Sequence, residues 1–213
     1  QQRAARLTAP LGAARRPRGH LRRPARRNPL PPPPTPTTPP GRPLPAPRRA
    51  AIAPVAARRG LWIVEDDPYG ELYFEDAPRT PLRAMDPGNV VYLSSFSKVL
   101  APGLRCAFIL GPEAVLEKVE IAKQAADLCG SGLDQRIVLR CLQDGVLLRQ
   151  QASIRPYYRA KRDAMLQALA AHMPEGTRWT TPAGGMFVWG TLPGGLDATT
   201  LLPRAVDEGV AYV

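Results

Sequence analysis

The sequence predicts an α/β fold with a mainly parallel sheet and a ligand crevice at the carboxyl ends of its strands. Two observations carry this prediction. Short apolar runs that end in polar residues come first along the chain, and amphipathic helical segments follow them. In open α/β sheets, ligands bind in the crevice outside the strand ends.

Three short apolar runs predict the buried strands. They are LWIVEDD from residue 61, NVVYLSSFS at 89–97 and RCAFILG at 105–111. The first ends in acidic residues and the second in hydroxyl-bearing residues. Polar groups are therefore expected at the ends of two neighbouring strands.

Helical segments follow the strands, and we predict them at residues 112–128, 133–144, about 153–173 and 198–208. The first begins with proline and carries acids early and lysines later, which suits the helix dipole. The apolar side chains of the third fall on one face, namely Ile154, Tyr158, Met165 and Leu169. Residues 177–193 predict two strands around a Pro/Gly turn, and residues 209–213 predict the start of another strand.

The first 60 residues differ in composition from the rest of the chain. They contain 14 arginines and 15 of the 26 prolines, with no lysine, no acidic residue and no aromatic residue. The other 153 residues carry 15 basic and 18 acidic side chains, so the net charge of +11 belongs to the N-terminal segment. Residues 1–30 predict a disordered or mis-encoded segment. A basic arm for nucleic acid and a transit peptide are the alternatives, although the prolines oppose a transit helix.

Cysteine, histidine and hydropathy patterns narrow the class of protein. Cys106, Cys129 and Cys141 show no CxxC spacing, which is typical of reduced thiols in a cytoplasm. The two histidines do not combine with them at a zinc-binding spacing, so we expect no metal. No apolar run approaches the ~18 residues of a membrane span. We therefore expect a cytoplasmic protein without a membrane partner.

A serine-rich turn with a single lysine, SSFSKVLAPGLR, begins at Ser94, at the end of the second strand. The hydroxyls of Ser94, Ser95 and Ser97, with nearby backbone N–H groups, predict a phosphate site. Arg105 would add a bidentate charge-assisted contact. Beside a phosphate ester, Lys98 is placed to form a Schiff base with an aldehyde. The alternative is an ordinary turn, with Arg105 paired to a surface acid.

A carboxylate and a phenol follow the first strand, within EDDPYGELYF. Asp66 can hold a pyridine nitrogen in its protonated form by ion pairing. Tyr69, three residues later, can hydrogen-bond an aromatic oxygen anion. Taken alone, Asp66 is typical of a solvated loop or helix cap. Together, the aldehyde, phosphate, pyridine and phenolic sites describe pyridoxal 5′-phosphate.

These motifs, in this order, resemble the fold-type I pyridoxal-phosphate aminotransferases of class I/II. The likeness runs from about residue 31 to 213 and is carried by EDDPYGEL, SSFSKVLAPGLR and MPEGTRWTTPAGGMFVW. It is strongest to the 2-aminoadipate and kynurenine transaminases, and MocR-type regulators carry a related domain. The resemblance implies part of the cofactor-binding large domain at 31–145, with a mainly parallel sheet, and part of an α+β small domain at 146–213.

The same resemblance implies roles for individual residues. Lys98 would form the Schiff base, Asp66 would pair with the pyridine nitrogen, and Tyr69 would contact the ring hydroxyl. Ser95, Ser97 and Arg105 would hold the phosphate. The turn at 184–187, Gly-Gly-Met-Phe, would lie near the substrate.

The implied activity is transfer of an amino group between an amino acid and a 2-oxo acid, in a homodimer. A pyridoxal-phosphate lyase or decarboxylase on the same fold is one alternative. A MocR-type transcriptional regulator is the second, although nothing here resembles its winged helix. A basic nucleic-acid-binding protein is the third, and we do not expect nucleic acid as a partner.

Several positions depart from the family pattern. Thr38 stands where the family has an asparagine that contacts the cofactor ring, and Pro40 stands where it has threonine. Pro47 and Pro54 fall within an expected helix, at a cost of about 3 kcal/mol each. These departures suggest a degraded or misread N-terminal segment. Parts of both domains, including the arginine that binds the substrate carboxylate, are not recognised, so we expect this chain to be a poor enzyme or none.

Overall fold

The computed structural model describes residues 29–30, 46–75 and 79–212, and its centre is a four-stranded sheet. The strands in spatial order are β1 (Pro29–Leu30), β2 (Trp62–Asp66), β3 (Val90–Ser95) and β4 (Ala107–Leu110). Strands β1, β2 and β3 run parallel to one another, whereas β4 is antiparallel to β3. The three predicted strands are confirmed, and the sheet is mainly parallel. The short strand β1 was not predicted, because its two residues lie in the proline- and arginine-rich segment.

Helix α1 (Ala46–Arg58) packs on the sheet although it contains two prolines. The helix expected at this position is therefore present, and the two prolines do not prevent it. Pro47 lies in the first turn, where backbone N–H groups have no intrahelical partner in any case. Pro54 is exposed, and the opposite face of the helix buries Ala53 and Ala56. Burial of that face offsets the hydrogen bond that Pro54 cannot donate. Thr38 and Pro40 lie outside the described residues.

The core lies between α1, the short helix α2 (Leu82–Met85) and one face of the sheet. Its fully buried members are Ala53, Ala56, Ile63, Leu82 and Val90. Side chains alternate between the two faces of a strand. In β2, Ile63 and Glu65 are buried on the α1 side, so Asp66 faces the other side of the sheet. This alternation separates Asp66 from the core.

The C-terminal part of the chain is mainly helical. Its elements are α3 (Glu113–Ala126), α4 (Gly132–Gln143), α5 (Val146–His172), the antiparallel pair β5 (Arg178–Trp179) and β6 (Gly190–Thr191), and α6 (Ala198–Asp207). All four predicted helices and the strand pair at 177–193 are present. Within the described ranges, no helix is both long enough and apolar enough to cross a membrane.

Two predictions for this part are wrong. Helix α5 begins at Val146 rather than near residue 153. The buried side chain of its first turns belongs to Gln151, which is polar and is not detected by an apolar pattern. Residues 210–212 form no strand. There the Tyr212 hydroxyl donates to the Ala198 carbonyl at 2.7 Å, and no neighbouring strand in the described part of the chain pairs with this segment.

Candidate active site

The candidate site lies where β2 and β3 end side by side. Asp66, the last residue of β2, pairs in register with Leu93, and Ser94 and Ser95 complete β3. The Asp66 side chain is exposed. Within the described ranges, no hydrogen bond or ion pair engages its carboxylate, which leaves it available to a ligand.

Lys98 and Tyr69 face one another at this edge. The Nζ atom of Lys98 lies 6.0 Å from the centre of the Tyr69 ring, and the lysine side chain is exposed. Burial raises the pKa of the Tyr69 hydroxyl, and the negative charge of Asp66 raises it further. The phenol is therefore protonated at neutral pH and can act as a hydrogen-bond donor. The structure thus brings together Asp66, Tyr69 and Lys98, which the sequence analysis had selected from two separate motifs.

The serine turn between β3 and Lys98 is held by its own hydrogen bonds. The Ser95 Oγ lies 2.9 Å from the Ser97 Oγ, and the Ser97 N–H donates to the Ser95 Oγ at 3.0 Å. The Ser95 Oγ also lies 3.3 Å from the Cys106 carbonyl oxygen, at the start of the next segment. Both serines are half-buried, so their hydroxyls are fixed beside Lys98.

Arg105 follows the 3₁₀ turn Pro102–Leu104 and adopts a left-handed backbone conformation, with φ of 50°. Such a φ is uncommon for a residue other than glycine. The next residue, Cys106, accepts a hydrogen bond from the Phe96 N–H at 3.1 Å, which ties this segment to the serine turn. The Arg105 side chain is exposed, and no carboxylate of the described residues pairs with its guanidinium. The alternative of a surface ion pair therefore finds no support there.

The turn at 183–187 packs directly on the loop that carries Tyr69. The Phe187 ring meets the Tyr69 ring edge-on, with centroids 5.9 Å apart. The Gly185 N–H donates to the Leu72 carbonyl at 2.7 Å, and a Cβ added to Gly184 would lie 2.5 Å from that same oxygen. The close approach of the two backbones therefore requires glycine at position 184. The resemblance implies that residues 184–187 of this turn lie near the substrate, whereas the contact with Tyr69 was not predicted.

Helix α5 fixes the same loop from another side through three polar residues on one face. The Gln151 amide donates to the Glu71 carboxylate at 3.3 Å, and the Arg155 Nε donates to the Glu71 carbonyl at 3.0 Å. Seven residues later, Arg162 donates to the Glu75 carboxylate at 2.7 Å and to the Pro182 carbonyl at 2.8 Å. Sequence reasoning missed these residues. Their spacing of four and seven was the available signal, although polar residues at that spacing usually face solvent.

The two neighbouring aspartates occupy different environments. Unlike exposed Asp66, Asp67 is half-buried, and its Oδ2 accepts a hydrogen bond from the Tyr92 hydroxyl at 3.2 Å. Burial raises the pKa of the Asp67 carboxyl above its usual value. A ligand at the strand ends would therefore meet the carboxylate of Asp66 rather than that of Asp67.

The donor set at this edge fits pyridoxal phosphate. It offers an exposed amine on Lys98, a carboxylate on Asp66 that no described residue engages, and a protonated phenol on Tyr69. Two oriented hydroxyls and a guanidinium lie in the turn and segment that follow. An aldehyde, a pyridine nitrogen, a ring oxygen and a phosphate each find a complementary group in this set.

Comparisons with known proteins identify the family. The model of the family "Aminotransferase class I and II" matches residues 34–212. Aromatic-amino-acid aminotransferase 1 of Thermococcus litoralis is 46% identical over 160 residues, which cover 75% of this chain and 38% of that protein. An uncharacterised HTH-type transcriptional regulator of Bacillus subtilis, YdfD, is 34% identical over 160 residues, covering 75% of this chain and 33% of that protein.

A solved structure agrees with this assignment. LysN, the alpha-aminoadipate aminotransferase of Thermus thermophilus, was crystallised with N-(5′-phosphopyridoxyl)-L-leucine. It superposes with a TM-score of 0.75 at 44% identity, covering 79% of this chain and 44% of LysN. The chain spans about two-fifths of the length of the aminotransferases it matches. Its partial α/β sheet is therefore part of the fold-type I architecture predicted from the sequence, and the chain belongs to the class I and II aminotransferase family.

Proposed function

We propose that this chain forms part of a pyridoxal-phosphate-dependent aminotransferase that moves an amino group between an amino acid and a 2-oxo acid. The observation that carries the proposal is the grouping of Lys98, Tyr69 and Asp66 at the ends of β2 and β3, with the Lys98 Nζ 6.0 Å from the Tyr69 ring. The names of the relatives support an amino acid as the donor. They differ among themselves, so the proposal extends to the class of substrate only.

The residues of the site have separate tasks in this proposal. Pyridoxal phosphate, when bound, supplies an electron sink for the negative charge that develops at the substrate Cα. Lys98 would hold the cofactor covalently until the substrate amine replaces the Lys98 Nζ on it, and the freed Nζ would then move the proton to and from the substrate Cα. Asp66 keeps the pyridine nitrogen protonated through its negative charge. The Tyr69 hydroxyl would donate a hydrogen bond to the ring oxygen, because its raised pKa keeps it protonated at neutral pH.

The phosphate is assigned to the turn and segment that follow β3. Ser95 and Ser97 offer hydroxyls that are already oriented by the bonds between them. Arg105 offers a guanidinium without a carboxylate partner in the described ranges. Arg105 has a left-handed backbone conformation, and the chain then returns to the end of β3. There the Cys106 carbonyl accepts a hydrogen bond from the Phe96 N–H. Charge-assisted contacts of this kind position a phosphate group firmly.

The whole protein is proposed to work as a homodimer. Helices α3 and α4, the loop between them and the start of α5 expose large apolar side chains, among them Leu128, Leu133 and Leu148, each at least 70% exposed. Exposed apolar side chains of this kind are typical of association sites when they form a continuous patch. Sedimentation of the protein over a range of concentrations tests this part, and a monomer at every concentration would count against it.

The activity is tested by mixing the pyridoxal-phosphate-loaded protein with a panel of amino acids and measuring the products by mass spectrometry. Transamination predicts that each amino acid substrate yields the matching 2-oxo acid. When 2-oxoglutarate is then added, the amino group is transferred to it and glutamate forms. Release of carbon dioxide or of an eliminated side chain would instead favour a decarboxylase or lyase.

A transcriptional-regulator domain is the second candidate, because the same region resembles the HTH-type regulator YdfD. Such a domain would bind the cofactor and an amino acid without releasing a 2-oxo acid. A spectral change on adding amino acid, with no product over many hours, would favour it over the transaminase.

A further inference from the structure

Asp67 differs from Asp66 in the direction of its side chain and in its hydrogen-bonding partners. The proposed function assigns Asp67 no contact with the cofactor or the substrate. Side chains of a strand alternate in direction, so the residue after Asp66 turns back toward the Glu65 side of the sheet. The Asp67 side chain lies half-buried there, while Asp66 remains exposed. A charged group that is partly withdrawn from water needs hydrogen-bonding partners to be tolerated.

Three hydrogen bonds join Asp67 to strand β3, which leads to Lys98. The Tyr92 hydroxyl donates to the Asp67 Oδ2 at 3.2 Å, and the Ser94 hydroxyl donates to the Asp67 carbonyl at 2.9 Å. The Asp67 N–H donates to the Leu93 carbonyl at 2.9 Å. The residue is thus fixed to β3 by its backbone and by its side chain, at the point where the chain leaves β2.

The turn that presents Tyr69 is folded over the Asp67 carboxylate. A Cβ added to Gly70 would lie 2.2 Å from the Asp67 Oδ2, which is closer than atoms can approach. A side chain at position 70 would therefore displace the Asp67 carboxylate from the position in which it accepts from Tyr92. The turn is closed by the Leu72 N–H, which donates to the Tyr69 carbonyl at 2.8 Å.

The electrostatic surroundings of Asp67 favour, on balance, the protonated form of its carboxyl, which can still accept a hydrogen bond from Tyr92. Burial raises the pKa of Asp67, and the charges of Glu65 and Glu71 raise it further, while the Tyr92 hydrogen bond and Arg49 lower it. Burial and the charge of Asp67 raise the pKa of Tyr92, so its hydroxyl stays protonated and remains a donor.

We propose that Asp67 is a positioning residue, which holds the turn after β2 so that Asp66 and Tyr69 face the cofactor site beside Lys98. The proposal rests on the proposed function for the identity of the cofactor. The hydrogen bonds that Tyr92 and Ser94 donate from β3 to Asp67 do not depend on that function. The side chain of Asp67 acts only through its neighbours and is not expected to touch cofactor or substrate.

The test compares Asp67→Ala and Asp67→Asn with a matched control, Glu120→Ala, on the exposed face of α3. The first readout is the affinity for pyridoxal phosphate, from absorbance titration. Loss of a partly buried hydrogen-bonded group predicts about tenfold weaker binding for Asp67→Ala. Asparagine still accepts from Tyr92, so Asp67→Asn is expected within about twofold of the parent protein. Glu120→Ala should leave affinity unchanged.

The second readout needs no cofactor. In the free protein, amide hydrogen exchange at Asp67 and Leu72 should speed up in Asp67→Ala and return to the parent rate in Asp67→Asn. If Asp67→Ala does not fold, Tyr92→Phe replaces it, since this change removes the donor and keeps the aromatic ring. Tyr92→Phe is expected to show the same weaker binding and faster exchange.

The outcomes separate the two proposals. A parent protein that forms no borohydride-stable adduct with pyridoxal phosphate contradicts the proposed function, whatever the exchange data show. A parent protein that forms the adduct, together with Asp67→Ala or Tyr92→Phe that match the Glu120→Ala control in affinity and exchange, overturns the positioning role. Failure of Asp67→Asn to rescue both readouts also overturns it.

Discussion

The guanidinium of Arg49 lies 2.6 Å from the carboxylate of Glu65, and both side chains are almost fully buried. This pair joins helix α1 to β2 one residue before Asp66. Glu65 also accepts from the Arg83 N–H at 3.3 Å, and Arg49 donates to the Thr80 carbonyl at 3.1 Å. The arginine-rich segment therefore supplies a structural partner to the strand that carries the candidate site.

Replacing Arg49 with methionine should destabilise the protein strongly, because Glu65 would be left as a buried charge without its partner. Breaking a buried pair in this way costs about 3–5 kcal/mol. The neighbouring Arg48 is exposed, so Arg48→Met is the matched control and should change stability little. Urea denaturation measures both variants, and equal free energies of unfolding would show that the buried pair has no such role.

Gly184→Ala should loosen the contact between the 183–187 turn and the Tyr69 loop. The new Cβ would lie 2.5 Å from the Leu72 carbonyl oxygen, so the backbones must move apart. Overpacking of this kind costs about 1–3 kcal/mol. Gly190→Ala, whose Cβ meets no atom within 4 Å, is the control. Thermal unfolding is measured for both variants. Equal melting temperatures would show that the contact does not stabilise the protein.

Asp66→Asn should retain bound cofactor but slow removal of the Cα proton by roughly 10²-fold or more, because a neutral amide cannot hold the pyridine nitrogen protonated by charge. The rate is followed by exchange of the amino acid Cα hydrogen for deuterium. Asp67→Asn is the control. The assignment of the two acids is reversed if Asp67→Asn does this damage and Asp66→Asn does not.

The raised pKa of Asp67 predicts that the difference in stability between the parent protein and Asp67→Asn depends on pH. Its pKa in the folded protein is raised above the ordinary value of 3.8, mainly by burial. The folded state therefore binds this proton more tightly than the unfolded state, so the stabilisation is present at low pH and is lost as the pH rises through the folded pKa. The free energy of unfolding of the parent protein, relative to Asp67→Asn, should fall as the pH rises from 3.8 toward neutrality. Urea titrations of both proteins check this, and a difference that grew with pH would have the wrong sign.

The part of the site that could be predicted from sequence is the part fixed by strand order. Asp66 and the serine turn end neighbouring parallel strands, and such ends lie at one edge of a sheet. Local residue types then pointed to Tyr69 and Lys98, and the structure brings these side chains together. Strands β2, β3 and β4 and helices α3 to α6 were predicted from their residue patterns, and the family was predicted from the motifs.

The contacts that could not be predicted join residues far apart in the sequence. Gly184 contacts Leu72, and Arg155 contacts Glu71, only because helix α5 and the 183–187 turn pack on the loop that follows β2. No apolar pattern in the sequence predicts either contact. Helix α1 shows the converse, since local propensity argued against it and burial against the sheet overrides the prolines.

The central claim is that Lys98 binds the cofactor covalently, and reduction with borohydride tests it most directly. The protein is incubated with pyridoxal phosphate, reduced, digested and analysed by mass spectrometry, in parallel with Lys98→Ala and with the control Lys118→Ala. The account predicts a phosphopyridoxyl group on Lys98 in the parent protein and the control, and none in Lys98→Ala. A stable adduct that persists in Lys98→Ala, on Lys118, Lys123 or Lys161, would contradict the assignment of the site.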